Sequence, residues 1–312
     1  MASRNHSTIT EFIFLGLSPD PKIQALLFVL FLGIYLLTML GNLIMLLVIR
    51  TDSHLHTPMY FFLSHLSFID LCFSTVTVPK MLEDLLCQKK AISVKGCLAQ
   101  IFFLLATGGT EICLLSVMAY DRYAAICHPL LYDQMMSEQR CVQLVWGSWG
   151  LSFLDTVINV SLAMKMDFCD TYIIPHYSCE LPSIFLLSCS NVSTNFLVML
   201  CSIIPHGLIT LFLIFFSYVC IIFTILSNTS TSGRKKAFST CSSHLTAVIF
   251  FYVSTFLRYF MPTSGSPLEL IFSVQYGVMT PMLNPLIYSL KNKEVKAAVR
   301  RTLGKCLHRF QW

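Results

Sequence analysis

Seven long stretches of this 312-residue chain hold few charged residues, and they limit the possible folds more than any other feature. A helix that crosses a bilayer needs roughly 20 mostly apolar residues. Only 12% of the residues are charged, whereas a soluble domain carries roughly 25%. The stretches do not alternate as the strands of a membrane β-barrel would. We therefore predict an all-α membrane protein, a seven-transmembrane helix bundle, with spans near 23–49, 57–80, 96–127, 141–164, 196–226, 236–261 and 268–290.

The distribution of Lys and Arg predicts the orientation of this bundle. Seven spans place the two termini on opposite sides of the membrane. With the C-terminus inside, the cytoplasmic segments hold 13 Lys and Arg and the outer segments hold eight, which fits the positive-inside rule. We expect an extracellular tail over 1–22, the bundle over 23–290, and a short cytoplasmic amphipathic helix and tail over 291–312. The chain is then a multi-pass protein of the plasma membrane.

Four cysteines fall in the predicted outer segments, where disulfides persist. They are Cys97, Cys169, Cys179 and Cys189. Four cysteines allow three connectivities, and the residues alone leave the pairing open. The remaining outer cysteine, Cys87, is expected to be a free thiol.

Two other observations concern modification and metal binding. Asn5 begins an Asn-His-Ser triplet in the predicted outer tail and is a candidate glycosylation site. Asn191 begins a second triplet close to the bilayer, and its modification stays open. No group of residues shows metal-ligand spacing, so we expect neither a metal nor a cofactor.

Four motifs near the ends of the predicted spans identify a family. They are LHTPMY at 55–60, MAYDRYAAICHPL at 118–130, KAFSTCSSHL at 236–245 and PMLNPLIY at 281–288. In these motifs the chain resembles the vertebrate olfactory receptors, which are class A, rhodopsin-like G-protein-coupled receptors. The resemblance runs from the N-terminal tail to the C-terminal helix.

This resemblance implies an odorant receptor without enzymatic activity. Such a receptor binds a small volatile molecule in the outer half of the bundle and activates a stimulatory, olfactory-type heterotrimeric G protein, which raises cAMP. Its expected location is the cilium of an olfactory sensory neuron, and nucleic acid is not an expected partner. The alternatives are a non-olfactory chemoreceptor of the same fold, a transporter or channel, and an intramembrane enzyme. A transporter often has repeated halves, and we find no such repeat.

The resemblance also implies which residues line the odorant pocket. Mostly apolar walls with a few polar groups suit a small volatile ligand. The two glycines of this set could instead allow close helix packing, and its histidine could be only a hydrogen bonder of the core. The set is Leu104, Leu105, Gly108, Gly109, Ile112, Ser202, His206, Tyr252, Phe256, Tyr259 and Val274.

A second set is implied to switch the receptor between two states at the cytoplasmic end. A carboxylate beside a guanidinium holds it by charge-assisted hydrogen bonds, and a proline inside a helix can kink it. The set is Asp121, Arg122, Tyr123, Tyr218, Asn284, Pro285 and Tyr288.

The remaining expectations concern single groups. Asp70 and Glu111 are intramembrane carboxylates, which are costly unless neutral, paired or hydrated, and they form a possible sodium or proton site. No role is assigned to Asp155. Cys306 could be palmitoylated or could be a plain thiol. The resemblance implies the disulfides Cys97–Cys179 and Cys169–Cys189.

Overall fold

The computed structural model describes residues 9–168, 172–227, 231–260 and 266–309. Within these ranges, seven long helices form a bundle, and an eighth helix follows it. The seventh, α7, consists of Pro267–Val274, a π-helical segment Gln275–Met279 and Thr280–Lys291. The others are α1 (Pro21–Thr51), α2 (Pro58–Leu86), α3 (Val94–Cys127), α4 (Glu138–Ala163), α5 (Ser193–Ser227), α6 (Thr231–Phe260) and α8 (Lys293–Arg309).

Local capping explains where several helices begin. The side chain of Asp20 accepts a hydrogen bond from the backbone N–H of Lys22, and Pro21 occupies the first turn of α1. Both features favour a helix start, because the first N–H groups of a helix lack partners within it. Ser93 accepts a hydrogen bond from Gly96 at the start of α3 in the same way.

The outer helices expose their apolar side chains, whereas α3 lies at the centre of the bundle. In the most apolar window of α1 only 11% of the residues are buried, against 72% in α3. Leu26 on α1 and Phe212 on α5 are 68% and 66% exposed. By length and composition, α1 to α5 and α7 could each cross a membrane. Such continuous apolar surfaces are stable against lipid and would aggregate in water.

One end of the bundle, here the disulfide end, is covered by a small sheet and a long loop. Cys97 at the start of α3 is bonded to Cys179 in the loop that precedes α5, which confirms this predicted disulfide. Strand β1 (Glu11–Phe14) pairs antiparallel with β2 (Ala91–Ser93) and parallel with β3 (Ile173–Ile174).

We expected residues 1–22 to form a plain tail and did not predict the strand β1. It forms because Phe12 and Phe14 alternate with exposed neighbours and bury 98–99% of their surface beneath the loop. Gly16 then turns the chain with a φ of 74°, a conformation that glycine adopts without steric cost.

At the opposite end, here the Arg122 end, α8 packs against the connection between α1 and α2. Arg301 donates from Nε to Oδ2 of Asp52 at 2.8 Å, and His54 lies 2.9 Å from Oδ1. Burial alone would raise the pKa of Asp52, but these hydrogen bonds outweigh it and lower the pKa to about 2. Val295 and Ala298 are fully buried on the inner face of α8. The side chain of Cys306 lies outside the described residues, as does Asn5.

Peptide mapping of the non-reduced protein tests the disulfide framework. We expect a Cys97–Cys179 peptide pair, because these residues have a Cα–Cα distance of 5.4 Å. We also expect Cys169–Cys189, although Cys169 lies outside the described residues. Residue Phe168 forms a bridge with Ser188, which brings the two segments together. Recovery of Cys97 linked to Cys189 would contradict both pairings.

Candidate functional site

A cavity of about 100 Å³ lies between α3, α4, α5 and α6, in the half of the bundle nearer the disulfide end. Leu181 of the long loop and Tyr276 of α7 complete its wall. Seven residues of the predicted ligand set line it: Leu104, Leu105, Gly108, Gly109, Ile112, Ser202 and His206. Two walls of this cavity, those from α3 and α5, therefore contain residues that the family resemblance implied for the odorant pocket, and their role in ligand binding stays a prediction.

The wall from α4 was missed in the sequence analysis. It consists of Ser152, Asp155, Thr156 and Asn159. Four polar residues of α4 are buried and recur every three or four positions along an otherwise apolar helix: Ser148, Ser152, Thr156 and Asn159. That spacing places them on one face, and it is the signal that could have predicted this wall.

The charged group of this wall contacts the histidine of α5. Oδ2 of Asp155 lies 2.8 Å from Nδ1 of His206, and their side chains are 29% and 23% exposed. The same Nδ1 lies 3.0 Å from the backbone carbonyl of Ser202. One turn further along, the amide of Asn159 donates to the hydroxyl of Ser202 at 3.1 Å. These contacts join α4 to α5 by a pair of polar bridges.

Both glycines of α3 line the cavity and also permit close packing. A Cβ atom on Gly109 would lie 3.0 Å from the hydroxyl of Ser152, and one on Gly108 would lie 2.6 Å from that of Tyr276. The sequence left open whether these glycines line a pocket or allow close helix packing. In this structure they do both.

Three predicted ligand residues lie outside this cavity. Phe256 is 58% exposed, because α6 turns Phe251 and Thr255 towards the cavity instead. Tyr252 packs one turn lower and donates to the hydroxyl of Thr210 at 2.7 Å. Val274 lines a separate apolar groove of about 670 Å³ between α1, α6 and α7. The side chain of Tyr259 lies outside the described residues.

The long loop is fixed above the cavity by a buried charge cluster. Arg258 of α6 lies 2.6 Å from Glu180 of the loop and 3.5 Å from Glu269 of α7. Arg258 and Glu269 are at least 99% buried. Burial raises the pKa of Glu180, but Arg258 and His176 lower it by more, so that this pKa lies below its ordinary value. The cluster holds Leu181, the next residue of the loop, against the cavity.

The two predicted intramembrane carboxylates meet at one amide. The side-chain N–H groups of Asn284 lie 3.1 and 3.2 Å from the two oxygens of Asp70 and 3.3 Å from Glu111. Both carboxyl groups are at least 97% buried. Asn42 of α1 donates to the carbonyl of Pro281 at 3.0 Å, and within the part of the chain that the structure describes it forms no hydrogen bond with either carboxyl group. Two buried carboxyl groups this close repel each other if both are ionised.

At the Arg122 end, the predicted switch residues form two neighbouring groups. Arg122 donates from Nε to Asp121 at 2.9 Å, and Tyr132 donates to the other oxygen of Asp121 at 2.8 Å. The hydroxyl of Tyr123 contacts His128 at 2.9 Å, away from this pair.

The second group surrounds a histidine that the sequence analysis did not select. The hydroxyl of Tyr218 lies 2.7 Å from Nδ1 of His244, whose Nε2 contacts the carbonyl of Leu115 at 3.1 Å. Tyr288 is 97% buried, and among the described residues its hydroxyl has no hydrogen-bond partner. An unpaired buried hydroxyl costs about 1–3 kcal/mol, so an arrangement that provides a partner would stabilise this end.

Comparison with known proteins now adds to this geometry. A family model described as olfactory receptor matches residues 31–306. Olfactory receptor 8S1 from Homo sapiens is 68% identical over 296 residues, which cover 95% of this chain and 82% of that protein. The chain belongs to the olfactory receptor family. Olfactory receptor 5G9 from Mus musculus is 49% identical over 98% of both chains.

A solved structure of low sequence identity shows the same fold. Squid rhodopsin is 19% identical and superimposes with a TM-score of 0.74 over 93% of this chain and 83% of that chain. Membership of the olfactory receptor family confirms a multi-pass, receptor-type membrane protein. The alternative of an intramembrane enzyme is therefore wrong, because the family consists of receptors.

The charge cluster under the loop generates a prediction about stability. Arg258→Ala leaves two carboxylates in a buried site without this cation, and breaking a buried pair costs about 3–5 kcal/mol. We expect a large loss of folded receptor, measured as surface expression and as the unfolding temperature of the purified protein. Lys89→Ala is the control, because Lys89 and Glu11 form an exposed pair, which contributes about 0–1 kcal/mol. Equal effects of the two substitutions would contradict a structural role for Arg258.

Proposed function

We propose that this receptor binds small volatile odorants in the cavity between α3, α4, α5 and α6, and that it signals through a heterotrimeric G protein at the Arg122 end. One observation carries the proposal: apolar side chains such as Leu105 and Phe251 share this cavity with a few polar groups, and Leu181 of the loop completes its lining. Sites for small ligands have this composition. The family to which the chain belongs supports the same class of ligand.

The volume of the cavity fits a molecule of a few heavy atoms. An apolar cavity of about 150 Å³ is large enough to bind benzene, and the cavity here measures about 100 Å³. Polar groups at His206 and Asn159 lie on one side, whereas the α3 side is apolar. A ligand with one polar end and a short hydrocarbon chain would satisfy both sides.

The arrangement at the Arg122 end supports a two-state switch. Arg122 is held by Asp121, and a docking protein could take it over through new charge-assisted bonds. Asn284 and Pro285 lie inside α7, where the proline removes a backbone hydrogen bond and permits a kink. Movement of this segment would give Tyr288 a new partner.

The cluster of Asp70, Glu111 and Asn284 is proposed as a sodium or proton site of the inactive state. Either a bound cation or a shared proton would relieve the repulsion between the two carboxyl groups. Rearrangement of α7 would change the position of Asn284 and therefore the affinity of the site.

The membrane orientation completes the proposal. The disulfide end faces the cell exterior, where the Cys97–Cys179 bond is stable, and the Arg122 end and α8 face the cytoplasm, where basic residues are favoured. Asn5 is then available for glycosylation. The G protein is of the stimulatory olfactory type, so activation raises cAMP, and the receptor resides in the cilia of olfactory sensory neurons. A cAMP assay in cells that co-express this G protein tests the coupling, and odorant-driven ion flux without cAMP would favour a channel.

Substitutions in the cavity should change ligand potency. His206→Ala removes a partly buried hydrogen-bonding group, which costs about 1–3 kcal/mol or roughly a tenfold to hundredfold loss of potency for a neutral polar odorant. Leu105→Trp fills part of the cavity and should lower the potency of large odorants more than that of small ones. Tyr259→Phe should act as His206→Ala does. Dose–response curves for cAMP at matched surface expression measure these effects.

The control for this experiment lies on the lipid side of α5. Leu208 is 61% exposed, so Leu208→Trp makes the same chemical change as Leu105→Trp outside the cavity. Leu105→Trp is preferable to Gly109→Leu, because a side chain at Gly109 would also displace Ser152. If every active odorant kept its potency in His206→Ala and Leu105→Trp, the ligand site would lie elsewhere.

Removal of Arg122 should separate signalling from folding. Asp121 keeps its hydrogen bond from Tyr132 in Arg122→Ala, so the buried carboxylate retains a partner and the receptor should still fold. We expect loss of ligand-stimulated cAMP with normal surface expression and ligand binding. Arg140→Ala removes an exposed charge near the same end and should signal normally. Full cAMP production by Arg122→Ala would disprove the switch.

A further inference from the structure

The structure gives the cavity a charged group that its proposed function does not yet use. Asp155 projects from α4 to the cavity, and only its Oδ2 atom contacts His206. Among the described residues, no hydrogen bond reaches the other oxygen, Oδ1. With 29% of its side chain exposed, this carboxyl group has an oxygen available to a ligand.

The hydrogen-bond pattern fixes the position of one proton on His206. Its Nδ1 atom lies within 3.0 Å of two groups, Oδ2 of Asp155 and the carbonyl of Ser202. The carbonyl can only accept, so Nδ1 carries a hydrogen and donates it to Ser202. This bond requires no positive charge on the ring. A neutral His206 can keep its bond to Ser202, and Asp155 then lies beside it without a full counter-ion.

The surrounding wall provides no permanent cation. Among the described residues that line the cavity, Asp155 is the only carboxylate, and there is no Lys or Arg. Arg258, the nearest such residue along α6, is held by Glu180 and Glu269 in the cluster above. Asp155 is partly buried, and a carboxylate that is shielded from water is stabilised by a cation that pairs with it. An anionic ligand would increase this cost, and a cationic ligand would remove it.

We propose that the ligands of this cavity include small aliphatic amines, whose ammonium group binds Oδ1 of Asp155. The proposal rests on the proposed odorant site and names the chemical class that this site prefers. The hydrocarbon part of the amine packs against Leu105 and Phe251 on the opposite side. Nδ1 of His206 stays beside the other carboxylate oxygen, Oδ2, of Asp155, and the hydroxyl of Ser202 remains bonded to Asn159.

The chemistry of the ligand agrees with this site. An alkylamine has a pKa near that of a lysine side chain, about 10.4, so it is protonated at pH 7. An alcohol of the same length donates to Asp155 a hydrogen bond in which only the acceptor is charged. An ammonium group adds the Coulomb attraction between two opposite charges, which is strong where water is largely excluded. The receptor should therefore bind an amine more tightly than the matching alcohol.

The test measures ligand binding and receptor activation in two separate assays. The probes are primary alkylamines of three to five carbons and the unbranched alcohols of equal length. Binding is measured as the rise in unfolding temperature of the purified full-length receptor, because a ligand that binds only the folded state stabilises it. Activation is measured as cAMP in cells at matched surface expression. In the wild type, we expect amines to bind at least about tenfold more tightly than the alcohols.

The decisive variant is Asp155→Asn, which keeps the size of the side chain while it removes the charge. We expect about a tenfold to hundredfold loss of affinity for amines and little change for alcohols. Asp155→Glu keeps the charge and should retain a preference for amines. If Asp155→Asn does not fold, the wild-type comparison of amines with alcohols and the Asp155→Glu variant still decide the proposal.

The outcomes separate this proposal from the one on which it rests. Failure of amines to stabilise the wild-type receptor, or equal loss of amines and alcohols in Asp155→Asn, would overturn the amine site. If Leu105→Trp still weakened alcohols in that case, the odorant cavity itself would stand. If Leu105→Trp left both series unaffected, the location of the cavity would be wrong as well.

Discussion

The interior of this receptor depends on one constraint: a polar group inside a bilayer must find its partner within the protein. Asn42 on α1 meets this requirement by donating to the carbonyl of Pro281 on α7. Gln100 on α3 accepts from the backbone of Cys179 and donates to the carbonyl of Val76 on α2. Such contacts connect helices that otherwise meet through apolar side chains, which lipid would solvate equally well. The polar groups therefore determine which helices are neighbours and where function can lie.

This constraint also explains what the sequence could predict. The thickness of the bilayer requires long apolar stretches, so the helices could be predicted from composition. The disulfide Cys97–Cys179 was predicted from the family resemblance. The strand Glu11–Phe14 was missed because four residues of alternation are too few to distinguish from a polar tail. It forms only through strands that lie about 80 and 160 positions further along the chain. Local pattern carries no information about such partners.

The same reasoning explains the errors within the site. The family resemblance implied that Phe256 lines the cavity, but a resemblance does not fix how far a helix is rotated in this chain, and Phe256 is 58% exposed. The rotation of α6 is set by Arg258, whose charge must reach Glu180 and Glu269, and this turns Thr255 inward. Asp155 received no role because an isolated carboxylate in a span can face any neighbour. Its neighbour became known only from the structure, in which Nδ1 of His206, 51 residues later in the chain, lies 2.8 Å from Oδ2 of Asp155.

One face of α7 connects the cavity to the Arg122 end. Tyr276 lines the cavity from the π-helical segment, and the hydroxyl of Thr280 donates to the carbonyl of Gln275 at 3.1 Å. Asn284 and Tyr288 follow at intervals of four residues, which places all four side chains on one face. A π-helical turn has fewer optimal hydrogen bonds than an α-helix and often occurs at functional positions. A ligand that displaced Tyr276 would act on the least regular part of α7, and the displacement would reach Asn284 and its two carboxyl groups before Tyr288. This order gives a physical route by which occupancy of a cavity near one end could change the arrangement at the other.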